Sequence, residues 1–415
     1  MSEIVSTMSA ADRRAANGRV LRLGIIGLGG ATKQMLPSFK NDPRVLVVAG
    51  ADPRAEARAR FAADFGARAY EKAETLCLSG EIDAIYIATP NTLHMAHAVT
   101  AADLGKHVVV EKPMATTIAE CDAIIDAARR NKIHLIVGHT HSFNAPIIKM
   151  REIICSGDIG SLAMIHTWNC NDYLYRPRWP DELRTELGGG SVHNQVSHQV
   201  DMVRYLGGGL VKSVRSVVWN HDPLRASEGS HMTFLQFSND SAACLVFSSY
   251  DRFDSDEFHF WVGEGGEEKS SQRHGSTYAA HLRLAEKDAE ATLKRAQSYG
   301  GSAPGSDALD SGGRPWHHMH FGVTIASCAN GDLRAAADSV ELYGKHGRVD
   351  IALPKARVFP DKSGVIDELY DAVVCGRPPQ HDGQWGKATV EVCEAILTSA
   401  RERREVEVKH QVALR

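Results

Sequence analysis

Between Val20 and Gly138, short apolar runs alternate with segments that favour helices, and this alternation constrains the fold more than any other feature of the chain. Runs such as VLVVAGAD and HLIVGH are almost continuously apolar, whereas the segment PRAEARARFAADFG is rich in alanine. Apolar strands separated by helices indicate a parallel sheet that is covered on both faces. We therefore predict an α/β fold with a doubly wound parallel sheet over residues 21–141, preceded by a mobile tail at residues 1–20.

The pattern changes in residues 142–415, where longer strand-like stretches follow one another with turn signals between them. Such a succession predicts a second domain with an antiparallel sheet. Helices are predicted around Gly364–Val374 and Trp385–Arg404. Residues 267–315 combine a charged helical stretch with a segment rich in Gly, Ser and Pro, and are predicted to be an insertion that acts as a lid or a flap. The predicted strands are SLAMIHTW, VKSVRSVVW, HMTFLQFS, SAACLVFSS, EFHFWVG and SVELYGKHGRVDIAL.

Charge and composition argue against several classes of partner. The 415 residues carry a formal net charge of −4, whereas nucleic acid or an acidic membrane would need a basic surface. No apolar run approaches the roughly 20 residues of a membrane span. The N-terminus lacks the apolar core of a signal peptide, and the 8 cysteines form no CxxC pair. We therefore expect a cytoplasmic protein that binds neither nucleic acid nor membrane.

A glycine-rich turn, GLGGAT, follows the first predicted strand. Gly27 and Gly29 match the first two glycines of a dinucleotide-binding turn, and Thr32 stands where a third glycine is usual. Asp52 ends the second strand and favours NAD by accepting hydrogen bonds from ribose hydroxyls, whereas Arg54 could instead meet the 2′-phosphate of NADP. The residues of the turn predicted to contact the cofactor are Gly27, Gly29, Gly30, Ala31 and Thr32.

Two further motifs, ATPNTLH and VVVEKP, end the next two predicted strands. In doubly wound sheets the ligand lies at the carboxyl ends of the strands, so both motifs are expected at the cofactor site. A surface charge at a strand end is the alternative interpretation of Lys112. The predicted cofactor-binding residues of these motifs are Thr89, Pro90, Asn91, His94, Glu111 and Lys112.

Asn194, His198 and Asp201 are spaced so that one helix would carry them on one face. Burying a polar stripe on an otherwise apolar helix costs free energy, so we interpret the stripe as functional. The alternative for His198 is a buried, hydrogen-bonded histidine with a structural role. The preceding loop carries Arg176, Arg178 and Arg184, which suggests an anionic substrate or, alternatively, a solvated or subunit-contacting loop.

Taken in order, the motifs GLGG…D, TPNxxH, EKP and GGGxxxNxxxHxxD resemble the Gfo/Idh/MocA family of oxidoreductases. The resemblance implies an N-terminal Rossmann domain, a C-terminal α/β domain with a large open, mostly antiparallel sheet, and NAD(P)-linked hydride transfer. It also implies a homo-oligomer, a dimer or tetramer, built through that sheet. The family lysine corresponds to Lys112 and its histidine to His198. Its usual acidic residue is replaced by Asn194, an amide that cannot accept a proton, so His198 is expected to carry more of the proton transfer.

Several loop motifs further resemble the family members that oxidise phthalate cis-4,5-dihydrodiol to 4,5-dihydroxyphthalate in bacterial aromatic degradation. They are GHTHSFNAP, YLYRPRWPDEL, GGGSVHNQVSHQVD and SSYDRFDSDEFHFW. This resemblance implies a small aromatic dicarboxylate dihydrodiol as substrate, whose carboxylates arginines could bind in bidentate fashion. The residues predicted to bind substrate are His139, His141, Tyr173, Tyr175, Arg176, Arg178, Trp179, Asn194 and His198, with Lys112, His198 and Asn194 in the catalytic group.

Three other activities remain open at this stage. They are a sugar, inositol or sugar-acid dehydrogenase of the same family, an NAD-dependent glycoside hydrolase, and a non-catalytic NAD(H)-sensing regulator. No metal site is predicted, because the closely spaced His317, His318 and His320 lack acidic or cysteine partners nearby in the sequence.

Overall fold

The computed structural model describes residues 18–284, 289–303 and 316–415, so most of the predicted N-terminal tail lies outside the described residues. The N-terminal half is built on a 6-stranded sheet in the order β3-β2-β1-β4-β5-β6, with all strands parallel. This order is that of a Rossmann sheet. The strands are β1 (Leu21–Ile26), β2 (Val45–Ala51), β3 (Arg68–Tyr70), β4 (Ala84–Ile87), β5 (His107–Val110) and β6 (Leu135–Val137).

Helices cover both faces of this sheet, as the continuously apolar strands predicted. One apolar core contains residues of α1 and α2, and the other contains residues of α3, α4 and α5. The α1 helix begins at Gly30, within the glycine turn. The helices are α1 (Gly30–Asn41), α2 (Ala55–Phe65), α3 (Ala73–Cys77), α4 (His94–Asp103) and α5 (Ile118–Arg130).

The register of the sheet brings the sequence motifs together. Ile26 pairs with both Ala51 and Ile87, Ile87 pairs with Val110, and Val110 pairs with Val137. The strands therefore end level with one another. The glycine turn, Asp52, the TPN turn, the EKP segment and the residues after Gly138 all leave the sheet at the same edge, where such folds bind their ligands.

The C-terminal half contains a 9-stranded sheet in the order β14-β13-β12-β11-β7-β10-β9-β8-β15. Neighbouring strands are antiparallel except β7 and β10, which are parallel. The predicted mostly antiparallel sheet is thus confirmed. The strands are β7 (Leu162–Cys170), β8 (Val211–Trp219), β9 (Ser230–Phe237), β10 (Ala242–Ser248), β11 (Val323–Cys328), β12 (Gly331–Ala335), β13 (Ser339–Gly344), β14 (Gly347–Ala352) and β15 (Val406–Glu407).

Three of the remaining helices pack on one face of this sheet. Apolar residues of α6, α7 and α11 form a core with its strands, whereas α10 packs against α1 in the core of the first sheet. None of the helices in the described ranges is long and apolar enough to cross a membrane. These helices are α6 (Ala145–Ser156), α7 (Ser197–Gly207), α8 (Ser276–His281), α9 (Ala289–Gln297), α10 (Ser363–Cys375) and α11 (Gly383–Glu402).

The sequence prediction was wrong for EFHFWVG, which forms a 3₁₀ turn at Ser255–His259 rather than a strand. Phe260 and Trp261 have φ angles of 60° and 58°, a left-handed conformation that cannot continue a strand. Strands β11 and β12 were not predicted. In the insertion, α8 and α9 are described, but residues 285–288 and 304–315 lie outside the described part of the chain.

Candidate active site

The glycine turn has the space that a dinucleotide requires. Gly27 has a φ of 87°, and a Cβ atom there would lie 2.6 Å from the carbonyl oxygen of Ala88, so only glycine fits. A Cβ atom added to Gly29 or Gly30 would meet nothing within 4 Å, which leaves the N-terminus of α1 open to a pyrophosphate. The buried Thr32 hydroxyl donates to the carbonyl oxygen of Gly27, which explains how this turn forms without a third glycine.

Asp52 and Arg54 lie together beside this turn. The backbone N–H of Leu28 donates to Asp52 Oδ2 at 2.9 Å, which orients the carboxylate. Arg54 donates through Nε to Asp52 Oδ1 at 3.0 Å and through Nη2 to the carbonyl oxygen of Leu28 at 2.6 Å. The arginine is thus held against the carboxylate, and an anionic group at this position favours the ribose hydroxyls of NAD over a 2′-phosphate. Together with the open glycine turn, these residues fit an NAD cofactor.

His94 and Asn91 connect loops of the site. His94 is buried, and its two ring nitrogens lie 2.9 Å from the carbonyl oxygens of Thr89 and Pro113. Asn91 Nδ2 donates to the carbonyl oxygen of Gly188 at 2.8 Å. The structure therefore gives both predicted cofactor-binding residues a role in positioning the strand-end loops.

Lys112 reaches from the first domain to the helix of the second. Its Nζ donates to the backbone carbonyl oxygen of Asn194 at 2.7 Å. Asn194 lies in a π-helical turn, Val192–Val196, which precedes α7. Such turns interrupt the regular helical hydrogen bonding and are frequent at functional sites. The Asn194 side chain points elsewhere, since its Nδ2 donates to the carbonyl oxygen of Gly190 at 3.0 Å.

The ammonium group of Lys112 is easier to deprotonate than that of a free lysine. Burial lowers its pKa to about 8, with further lowering by the positive charges of Lys362 and Arg178, while Glu111 opposes the shift. Lys362, at the start of α10, is 7% exposed, and burial lowers its pKa as well. A second buried lysine in this site was missed from the sequence, because nothing in the segment around Lys362 resembles a motif.

His198 lies among other aromatic rings. Its ring centroid is 4.6 Å from that of His141 and 5.0 Å from that of Phe321, and its Nδ1 is buried without a hydrogen-bond partner. Burial, with the positive charge of Lys112, holds the pKa of His198 well below its usual range. Burial likewise lowers the pKa of His141 to about 3. These histidines are therefore neutral near pH 7, and Lys112 is the most basic side chain of the group.

Asp201, the third residue of the predicted polar stripe, has a structural role. Its Oδ1 accepts from Trp385 Nε1 at 2.6 Å, and its Oδ2 accepts hydrogen bonds from the Thr140 and Ser142 hydroxyls. This network ties α7 to α11 and to the segment after β6. The π-helical turn also interrupts the single helix on which the stripe was predicted.

The arginines of the loop differ in how completely they are paired. Arg176 lies between Asp172, with Nε to Oδ1 at 2.5 Å, and Glu264, with Nη2 to Oε2 at 3.2 Å. Although burial opposes it, Arg176 and two asparagine amides lower the pKa of Glu264 to about 2, so this carboxylate is ionised. Arg178 instead lies 3.5 Å from Glu182 Oε1, and its guanidinium carbon stacks 3.8 Å from the centroid of the Tyr173 ring. Arg178 is therefore the less neutralised of the two.

Of the three aromatic residues predicted to bind substrate, two are buried and one is exposed. Tyr173 and Tyr175 are buried, and the hydroxyl of Tyr175 donates to Asp222 Oδ2 at 2.9 Å. Trp179 is 38% exposed. His139 is buried, with Nδ1 lacking a partner, and its ring stacks on Phe143 with centroids 5.6 Å apart. A small cavity lined by Lys112 and His193, among other residues, lies nearby.

The three histidines of WHHMH bind different partners. His317 Nδ1 lies 2.6 Å from Asp338 Oδ2, whereas His318 and His320 each place Nε2 2.8 Å from a backbone carbonyl oxygen, those of Pro354 and Val262. Within residues 18–284, 289–303 and 316–415, no group of three His, Cys, Asp or Glu residues is arranged to hold a metal ion.

Comparison with known proteins agrees with this geometry. A model of the oxidoreductase family with an NAD-binding Rossmann fold matches residues 21–139, and the GFO/IDH/MocA C-terminal domain matches residues 147–266. The chain belongs to the Gfo/Idh/MocA family. Among its relatives is 1-carboxy-3-chloro-3,4-dihydroxycyclo hexa-1,5-diene dehydrogenase of Comamonas testosteroni, 39% identical over 92% of this chain and 95% of that protein.

Solved structures also superimpose on the chain. A dehydrogenase of Bordetella bronchiseptica RB50 is 36% identical, with a TM-score of 0.88 over 94% of this chain and 100% of that one. The WlbA dehydrogenase of Bordetella pertussis, in complex with NADH and UDP-GlcNAcA, is 19% identical, with a TM-score of 0.64 over 94% and 99% of the two chains, and shows the shared fold. The predictions of an oxidoreductase with an NAD-binding Rossmann domain are confirmed.

Proposed function

We propose that this oxidoreductase oxidises a ring cis-diol that carries a carboxylate, and that phthalate cis-4,5-dihydrodiol is its substrate. The observation that carries the proposal is that Lys112 lies near a second cation, Arg178, whose carboxylate partner Glu182 is 3.5 Å away. Lys112 is the proton acceptor at the cofactor edge, and Arg178 is close enough to contribute to lowering its pKa. On a ring that carries a diol at one end and a carboxylate at the other, the diol can lie at Lys112 and the carboxylate can be bound by Arg178.

In the proposed mechanism, neutral Lys112 accepts the proton of one carbinol hydroxyl. His198, also neutral, forms a hydrogen bond to the same hydroxyl and orients it. Bound NAD⁺ supplies the acceptor for the hydride that leaves the carbinol carbon. The C–H and O–H bonds break and a carbonyl group forms. The resulting hydroxyenone then tautomerises to a catechol: it loses its ring C–H proton, and the carbonyl oxygen gains a proton. Aromatisation makes the overall oxidation favourable, so the residues need only position and deprotonate the substrate.

The substrate class is supported by the relative from Comamonas testosteroni, whose name describes a cyclohexadiene diol with one carboxyl group. Phthalate dihydrodiol carries two carboxyl groups. Arg178 can bind one of them, whereas Arg176 is already paired with two carboxylates. A monocarboxylated diol is therefore the second candidate substrate.

We also propose that a second copy of the chain covers the outer face of the 9-stranded sheet. Large apolar side chains on this face are exposed, and contiguous apolar patches on soluble proteins mark interaction sites. The helices of the C-terminal half form their core with the opposite face. The exposed residues are Met164 at 48%, Trp168 at 48%, Val217 at 43%, Trp219 at 40%, Met232 at 53% and Phe234 at 49%.

The test of the proposed reaction is NADH formation by the purified protein with NAD⁺ and four types of substrate: phthalate cis-4,5-dihydrodiol, a monocarboxylated cis-diol, an uncharged cis-diol and a polyol panel. Turnover that is fastest on a carboxylated cis-diol supports the proposal. Turnover on polyols alone would refute it and favour a sugar or inositol dehydrogenase. Hydrolysis of a glycoside without net NADH would favour the hydrolase alternative.

A further inference from the structure

The inserted helix α9 is fixed to both halves of the molecule. Arg295 donates through Nε and Nη2 to Glu56 Oε1 of the Rossmann half, at 2.9 and 2.6 Å. On the other side, Glu290 accepts hydrogen bonds from Arg225 Nη1 at 2.9 Å and from the backbone N–H of Arg178 at 2.9 Å. The helix therefore has a defined position beside the arginine loop.

From this helix Lys294 extends to the same carboxylate that Arg178 uses. Lys294 Nζ and Arg178 Nη1 each lie 3.5 Å from Glu182 Oε1, while Glu182 Oε2 accepts from the backbone N–H of Trp179 at 2.7 Å. The side chains of Lys294 and Arg178 are only 21% and 12% exposed. Two partly buried cations thus share one carboxylate at distances that are long for an ion pair.

In the ion pairs around this carboxylate, cations share their partners. Among the described residues, Arg178 and Lys294 both lie near Glu182, while Arg225 pairs with Glu290. Burial lowers the pKa of Lys294, and Arg178 lowers it further, while Glu182 opposes the shift. Because Glu182 is shared at 3.5 Å, Arg178 and Lys294 both keep donors that a further carboxylate can use.

We propose that Lys294 of the inserted helix, together with Arg178, binds the carboxylate of the substrate and so determines the specificity for acidic ring diols. This inference rests on the proposed function and adds a residue from the insertion to the substrate site. Arg178 is held over the Tyr173 ring and offers the planar donor, while Lys294 supplies a second charged donor from the opposite element. The insertion thereby acts as part of the binding site.

The test uses Lys294→Gln, with Lys294→Arg as the charge-conserving variant. Arg283→Gln is the matched control, because it removes one positive charge from an exposed residue of the same insertion. We expect Lys294→Gln to raise KM for a carboxylated cis-diol about 10- to 100-fold and to leave KM for an uncharged cis-diol unchanged. Lys294→Arg should recover most of the loss, and Arg283→Gln should show none. Equal effects on both substrates, or no effect, would overturn the inference.

A second measurement separates this inference from the proposed reaction. Binding of phthalate to the intact protein is measured by calorimetry in the presence of NAD⁺, independently of turnover. Loss of phthalate binding by about 10-fold or more in Lys294→Gln, but not in Arg283→Gln, supports the anion site even where no cis-diol is oxidised. Phthalate binding that is equal in wild type and Lys294→Gln, or absent from both, refutes it. Oxidation of carboxylated diols with normal KM in Lys294→Gln refutes the inference alone and leaves the reaction standing.

Discussion

The lowered pKa of Lys112 makes the pH dependence of the reaction a direct test of its role. An ordinary lysine with a pKa of 10.5 would be neutral in only about one molecule in 3,000 at pH 7, whereas a pKa of about 8 gives about one in ten. Because only the neutral amine accepts a proton, kcat/KM should rise as Lys112 loses its proton. The rise should be about 10-fold between pH 7 and pH 9, with an inflection near pH 8.

The assay is the initial rate of NADH formation from pH 6 to pH 10, for wild type and Lys112→Arg. Arginine keeps the positive charge but stays protonated, so kcat/KM should fall by about 10²- to 10⁴-fold and lose its inflection. NAD⁺ affinity should change little. Lys106→Arg, just before the opposite end of β5, is the control and should behave as wild type. An inflection near pH 8 that survives in Lys112→Arg, or a flat wild-type profile, would refute the assignment.

Three further outcomes follow from single contacts. Asp52→Ser should lower kcat/KM with NAD⁺ and raise it with NADP⁺, because Arg54 loses the carboxylate that holds it at 3.0 Å; an unchanged cofactor ratio would contradict this. Lys362→Met should move the kcat/KM inflection to higher pH, since it removes a positive charge that lowers the pKa of Lys112. A shift to lower pH would contradict this effect of Lys362 on Lys112. Phe234→Glu should reduce the oligomer in light scattering, whereas Leu224→Glu, away from the sheet face, should not.

The Rossmann half could be predicted from sequence because its signals are local. Apolar strands, alanine-rich helices and strand-end motifs lie close together along the chain, and the level strand ends bring Asp52 and Lys112 to one edge. Thr32 stands where a third glycine is usual, but the turn still forms, since the Thr32 hydroxyl donates to the carbonyl oxygen of Gly27. The EFHFWVG strand failed because an alternating aromatic pattern does not reveal the left-handed backbone at Phe260 and Trp261.

The chemistry of the site depends on contacts that the sequence does not display. Arg176 and Arg178 are equivalent in a loop motif, and only the fold brings Glu264, from 88 residues away, against the first of them. Lys362 is close to Lys112 because α10 packs against α1. No sequence motif predicts this contact. Residue type predicted that cations would be present, whereas the number of neighbouring carboxylates determines which cation can bind an anion.

This charge balance has a consequence for catalysis, because the cation proposed to hold the substrate also lowers the pKa of Lys112. When a carboxylate neutralises Arg178, part of that lowering is lost, and the pKa of Lys112 should rise in the complex. The profile of kcat/KM reports the free enzyme and that of kcat the complex, so the kcat inflection should lie at the higher pH. An uncharged cis-diol should not separate the two inflections. If the kcat inflection instead lies at lower pH with the carboxylated substrate, desolvation of Lys112 outweighs the charge effect, and the carboxylate binds away from Arg178.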